Sequence, residues 1–242
     1  MIARLKLRPK NFLDDSRRQW QFSTYAWLLR NTGGHAKFVD TELVLPTEEF
    51  FPDRGLKGRA GVATLFRRVR DHAGMADWPC TVEVEGGEPR AEGELPHADG
   101  LRVITYRRGE FDSGALVAHF GRELARYLLT TVPEPPPGGE ARREAAVELA
   151  AGFLGFGLFM ANAVTRHAIF RLSEGELAHA LALFCLLRRL PADCADEHLN
   201  PHLRKYVRLS ALDLAQHEAA FQQLRAVIAV ETAECTLPTR AV

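Results

Sequence analysis

The feature that most constrains this chain is residues 149–165, LAAGFLGFGLFMANAVT, 17 consecutive residues without a charge. Such a stretch has to leave water, either into a membrane or into the protein's own interior. A membrane-spanning helix needs about 20 apolar residues, and this one is closed by Glu148 and Arg166. Gly152, Gly155 and Gly157 suit close helix packing, so a large side chain at Gly155 is expected to overpack. The stretch is read as a buried helix at the centre of a globular fold, with no membrane association. Its neighbours must then supply apolar cover, and 46% of the 242 residues are hydrophobic.

That cover is visible downstream of Asp112, where the hydrophobic period becomes 3.6. Residues 113–130 form an amphipathic helix. Residues 132–140, VPEPPPGGE, read as a surface loop, because the helices on both sides need a partner for their apolar faces. Residues 140–165 follow as one helix or a pair. Ser173 with Glu176 makes a capping box that opens a helix running to Leu190, stopped by Pro191. A last helix is expected from Ser210, where Asp213 completes a weaker capping box, to about residue 229, before a polar tail over 231–242.

The upstream part is mixed. The second half of 11–30 fits a helix ending at Asn31-Thr32-Gly33-Gly34. A β run at 42–45 stops at Pro46, and the loop 46–52, PTEEFFP, is expected to bury Phe50 and Phe51. Residues 59–72 read as a helix. Residues 81–85 and 101–106 alternate as strands, expected as a hairpin or a neighbouring pair. The expected fold is α+β and mostly helical: a single domain over 1–242, mixed over about 1–110, with a small β element followed by a helical core over about 111–230.

Composition limits the functions available. Lys plus Arg number 31 and Asp plus Glu number 31, so no net charge favours nucleic acid. The pairs Arg67-Arg68, Arg142-Arg143 and Arg188-Arg189 read as solvated helix faces. The start, MIARLKLRPK, has positive charge without an apolar run, so no signal peptide is expected. Cys80, Cys185, Cys194 and Cys235 form no CxxC pair and are expected as free thiols in the cytoplasm, with Cys185 in the core. No GxGxxG, GxxxxGK[ST] or GxSxG motif occurs, and no cofactor is expected.

The chemically suggestive segment is the 113–130 helix. At 100° per residue, Leu116, Phe120, Leu124, Tyr127 and Leu128 share an apolar face, and His119, Arg122, Glu123 and Arg126 form the adjoining polar arc. An ionisable arc beside a buried stripe can line a cleft, or its arginines can snorkel to solvent. The other candidates are weaker. His198 and His202 are four apart with Pro201 between them, His167 and His179 stand alone, and Asn162 needs a hydrogen-bond partner if buried, tying two helices together.

Three stretches resemble a family of uncharacterised bacterial proteins with a zincin-like HExxH helix, over about residues 41–209. They are LPTEEFFPD at 45–53, similar to the family's proline-rich opening motif, the 113–130 helix, and ELAAGFLGFGLFMANA at 148–163, similar to its acidic helix and Gly/Phe-rich run. The resemblance implies a zincin-like fold in degenerate form. The motif's histidines fall on Arg122 and Arg126, its glutamate on Glu123 and its downstream acidic ligand on Glu148, with Glu144 one turn earlier. A guanidinium has no lone pair for zinc, so no metal and no catalytic residue is expected. The arginines could instead compensate Glu123 and Glu148, so that removing Arg126 strands a buried charge; they could also grip an anion.

Three readings follow. The preferred one is a catalytically inactive, metalloprotease-like protein that binds a partner protein or a small anionic ligand. The others are a metal-dependent hydrolase with a rebuilt site from His119, Glu123 and Glu148, and a purely structural or assembly protein.

Overall fold

The computed structural model describes residues 13–53, 58–85, 101–107, 109, 112–165, 170–191 and 193–229. Helix α1, Asp15–Asn31, starts where the Asp14 carboxylate accepts the Arg17 N–H at 2.9 Å. It ends at the turn read from the sequence, where Gly33 takes φ 105°. A short helix α2, Gly34–Phe38, follows and was not anticipated. It buries Phe38 against Phe153 and Phe184, with ring centroids 4.6 and 5.4 Å apart.

The expected β run at 42–45 forms no strand and joins no sheet. Its Val44 N–H donates instead to the Gly155 carbonyl at 3.0 Å, so a bend in the central helix takes the place of a partner strand. Phe50 and Phe51 are half-buried, each packed edge-on against His72 of α3, Gly58–His72.

Strands β1, Cys80–Val84, and β2, Arg102–Tyr106, pair in parallel, Cys80 opposite Arg102 and Val84 opposite Tyr106. Parallel pairing excludes the hairpin, since a tight turn joins only antiparallel strands; the neighbouring-pair alternative holds. The fold is mostly helical, and this small two-stranded sheet precedes the helical core.

The core begins with α4, Ser113–Thr130, capped by Asp112. The proline-rich loop then lies on α1, where Trp20 Nε1 donates to the Pro137 carbonyl at 2.8 Å. The apolar stretch forms two helices, α5, Arg143–Ala151, and α6, Gly157–Val164, joined by a π turn over Gly152–Phe156. Gly155 adopts φ 98° there, and a Cβ on it would lie 2.2 Å from the Glu42 carbonyl oxygen. Gly121 of α4 has a similar use: the Phe156 ring occupies the space a Cβ would need, at 2.9 Å.

The stretch 140–164 is long and apolar enough to cross a membrane, and 83% of its most apolar window is buried inside the protein. It is covered by α4 on one side and by α7, Glu174–Leu187, on the other. The capping box of Ser173 and Glu176 is formed.

Two boundaries differ from expectation. Helix α7 stops before Leu190, because Arg189 takes φ 58° and the Leu190 N–H donates to the Cys185 carbonyl at 2.8 Å, a Schellman-type ending. The helix expected to start at Ser210 is really the end of α8, Pro201–Leu214, followed by a short α9, Glu218–Arg225. Pro201 opens α8 at its first turn. Ser210 and Asp213 are buried inside it, so they cap nothing. The polar tail and His167 lie outside the described residues.

Candidate functional site

Helices α4 and α5 lie side by side, and their facing turns carry the charges. Arg122 and Arg126 are one turn apart on α4; Glu144 and Glu148 are one turn apart on α5. Arg122 Nη2 donates to Glu144 Oε2 at 2.8 Å, and Arg126 Nη2 donates to the same oxygen at 2.6 Å. Arg126 Nη1 closes onto Glu123 of its own helix. Arg122 Nε lies 3.7 Å from Glu148 Oε1, close enough for an ion pair and too far for a hydrogen bond. Arg122, Glu123, Arg126, Glu144 and Glu148 thus belong to one chain of contacts.

Burial is unequal along it. The Glu148 side chain is fully buried and that of Arg122 is 11% exposed, whereas Glu144 is 41% exposed. Glu148 is held by two backbone donors, the N–H groups of Arg171 and Leu172, each at 2.8 Å. They lead directly into the Ser173 cap of α7, so this carboxylate ties α5 to the start of α7. Burial pushes the Glu148 carboxyl above the ordinary carboxylate range, against the pull of those N–H groups and of Arg122. Burial acts upward on Glu144 as well, but Arg126 and Arg122 outweigh it and hold that carboxyl below the ordinary range.

The sequence reading gave Arg126 the costly position, and the geometry moves it. Arg126 serves Glu123 and the half-exposed Glu144. Arg122 is the guanidinium beside the buried carboxylate. The reason is register: the helices run antiparallel here, so the earlier arginine of α4 meets the later glutamate of α5.

His119 belongs to a different contact. Its Nε2 lies 2.8 Å from the Thr105 carbonyl oxygen, so that nitrogen carries the proton and donates, linking α4 to β2. Among the described residues, no three His, Cys, Asp or Glu side chains come together as a metal-binding group. The clefts of about 490 and 470 Å³ are lined by other residues, the second by Phe51, Val62, Leu65, Leu116 and Phe159 among others.

Asn162 ties α6 to the turn before α8: its Nδ2 donates to the His198 carbonyl at 2.8 Å and its Oδ1 accepts the Asn200 N–H at 2.9 Å. His202 is half-exposed and sits 3.4 Å from Glu174.

Sequence reasoning missed a second polar system, entirely internal. Arg18 of α1 donates through Nε to Asp213 of α8 at 3.0 Å, both nearly buried. Gln21 Nε2 donates to the Glu176 carbonyl at 2.9 Å, which turns its Oε1 to accept from His179 Nδ1 at 2.8 Å. His179 is therefore protonated on Nδ1, and its Nε2 is buried without a hydrogen-bond partner. Burial drives the His179 pKa down to about 3, with Arg18 and His217 adding to the effect. The available signal was Arg18, Gln21 and Tyr25, spaced i, i+3, i+7 on one face of a helix that buries Phe22, Trp27, Leu28 and Leu29.

Compared with protein families, with curated proteins and with solved structures, the chain finds no match.

Proposed function

We propose that this chain is a catalytically inactive, metalloprotease-like protein that acts by binding a partner protein. In this reading the ion-pair ladder between α4 and α5 stands where a zincin-like fold holds its metal. The observation that carries it is the pair Arg122 and Arg126, one turn apart in the HExxH positions, both bonded to Glu144. A guanidinium cannot ligate zinc, and these two already neutralise the carboxylates a metal would have served.

A partner protein is favoured over a small anion because both guanidiniums are engaged internally. An incoming phosphate or carboxylate would have to displace Glu144 from two charge-assisted hydrogen bonds. The rebuilt hydrolase draws little support: His119 is committed toward Thr105 and Glu148 toward two backbone N–H groups, so they share no reaction centre.

Elemental analysis of the purified protein tests this reading. The expected result is no stoichiometric zinc in the wild type and zinc uptake by the double variant Arg122→His with Arg126→His. Zinc near one per chain in the wild type, lost in Glu123→Gln, would overturn it. Titration calorimetry with inorganic phosphate and citrate separates the anion alternative, which requires heat that disappears in Arg126→Ala.

A further inference from the structure

The turn that ends α7 brings two cysteines together that are nine residues apart in sequence. Cys185 lies in the last turns of α7 and is 2% exposed; Cys194 lies in the following turn and is partly exposed. Their sulfurs are 3.7 Å apart. The left-handed Arg189 makes the reversal, and the Leu190 N–H on the Cys185 carbonyl holds it. The Cys194 N–H donates to the Pro191 carbonyl at 3.2 Å, which sets the second thiol facing back toward the helix.

We infer that Cys185 and Cys194 form a reversible redox pair, closed to a disulfide by a low-molecular-weight disulfide of the glutathione type and reopened by thiols. The sulfurs need to close from 3.7 Å to about 2.05 Å, and Cys194 sits in a turn, where side-chain rotation is less restricted than inside α7. Among the described residues no third ligating side chain joins them, so the pair suits thiol chemistry and not a metal.

The roles are unequal. Cys194 is the sulfur a reagent can reach, and the Cys185 S–H donating to it lowers its pKa, while its partial burial and the neighbouring Asp193 and Asp196 act the other way. The Asp196 charge is itself engaged by Arg208. The hydrogen bond to Cys194 and then burial raise the pKa of Cys185, which fits a second, resolving thiol. The Cys194 thiolate attacks one sulfur of oxidised glutathione, forming a mixed disulfide and expelling one glutathione thiolate. Cys185 then loses its proton and attacks the Cys194 sulfur, expelling the second glutathione. Two protein thiols are oxidised, one glutathione disulfide is reduced to two thiols, and α7 becomes joined covalently to the turn before α8.

The test treats the folded full-length chain with oxidised glutathione, blocks remaining thiols by alkylation, and maps disulfides by peptide mass. The expected product is a Cys185–Cys194 link with no retained glutathione, lost on adding dithiothreitol. Cys185→Ser, or Cys185→Ala where Ser disturbs the core, should instead retain glutathione on Cys194. Cys194→Ser should form neither product at these positions. A glutathione adduct that persists on Cys194 while Cys185 is present would overturn the inference. So would both thiols staying free while the unfolded chain is oxidised under the same conditions.

Discussion

Arg122 and Arg126 carry the same charge one helical turn apart, yet they differ in what their loss would leave behind. Without Arg122, the fully buried Glu148 keeps two backbone donors but no cation among the described residues. Without Arg126, Glu144 still has Arg122 and is 41% exposed, and Glu123 can turn to solvent. Arg122→Ala is expected to cost about 3–5 kcal/mol, as for one partner removed from a buried pair. Arg126→Ala should cost about 1 kcal/mol or less. Urea denaturation of both variants checks this, and equal losses would mean that Glu148 is not the carboxylate that needs a cation. Helical spacing places Arg122, Glu123 and Arg126 on one arc, whereas Glu148 was set across from them only by the family resemblance and the bridging place of Glu144 was not anticipated. Which arginine meets the buried acid was not legible in the sequence, because that depends on how far α5 slides along α4.

At the scale of the element, the three glycines of the central stretch look equivalent in sequence and meet different surroundings. Gly155 takes φ 98°, and a Cβ would strike the Glu42 carbonyl oxygen. At Gly157 a Cβ would meet Leu181 Cδ1 at 3.3 Å, the end of a flexible side chain. At Gly152 the nearest atom would be 3.8 Å away, an ordinary contact. Gly155→Ala is therefore expected to cost about 3 kcal/mol or more, from backbone strain together with a clash against backbone. Gly157→Ala should cost about 1 kcal/mol. Gly152→Ala should be neutral or stabilise by up to about 1 kcal/mol through helix propensity. Thermal or chemical unfolding of the three variants reads this order, and a Gly155→Ala protein as stable as the wild type would remove the bend as a structural requirement. The clash expected at Gly155 is thus joined by a conformational demand: a left-handed residue where the segment at 42–45 docks.

For the whole molecule, the internal polar system binds distant parts of the chain, Arg18 to Asp213 and Gln21 to both Glu176 and His179. His179 couples this arrangement to pH. Its folded pKa of about 3 lies below the ordinary 6.5, so between those values the unfolded chain binds a proton that the folded chain does not. Stability from this group is then fully present above about pH 6.5 and is lost as pH falls toward 3, by about 1.4 kcal/mol per unit within the window. Glu148 acts in the opposite sense. Its raised carboxyl keeps its proton in the folded state above the ordinary 4.5, so its contribution falls as pH rises there. Comparing urea midpoints at pH 7.5 and 5 in wild type and His179→Gln isolates the histidine. The expected result is a clear loss in the wild type at pH 5 and a flatter response in the variant. Equal responses would mean that His179 gains a proton in the folded protein.

The features legible before folding are those that depend on neighbours along the chain. The central uncharged stretch, the amphipathic α4, the capping box of α7 and the turn after α1 were readable because period, caps and glycines act within a few residues. Tertiary structure decided what depends on residues far apart. Ser210 and Asp213 have the spacing of a helix cap, but α8 is already under way from Pro201, and Asp213 is instead the buried partner of Arg18 from α1. Cys185 and Cys194 share no motif, and only the reversal at Arg189 brings them together. The two strands alternate as strands must, but alternation is the same for a parallel and an antiparallel partner, and only the fold shows that they pair in parallel. Local patterns record what a segment prefers; the partner that satisfies a buried charge, a thiol or a strand edge is chosen only when the helices pack.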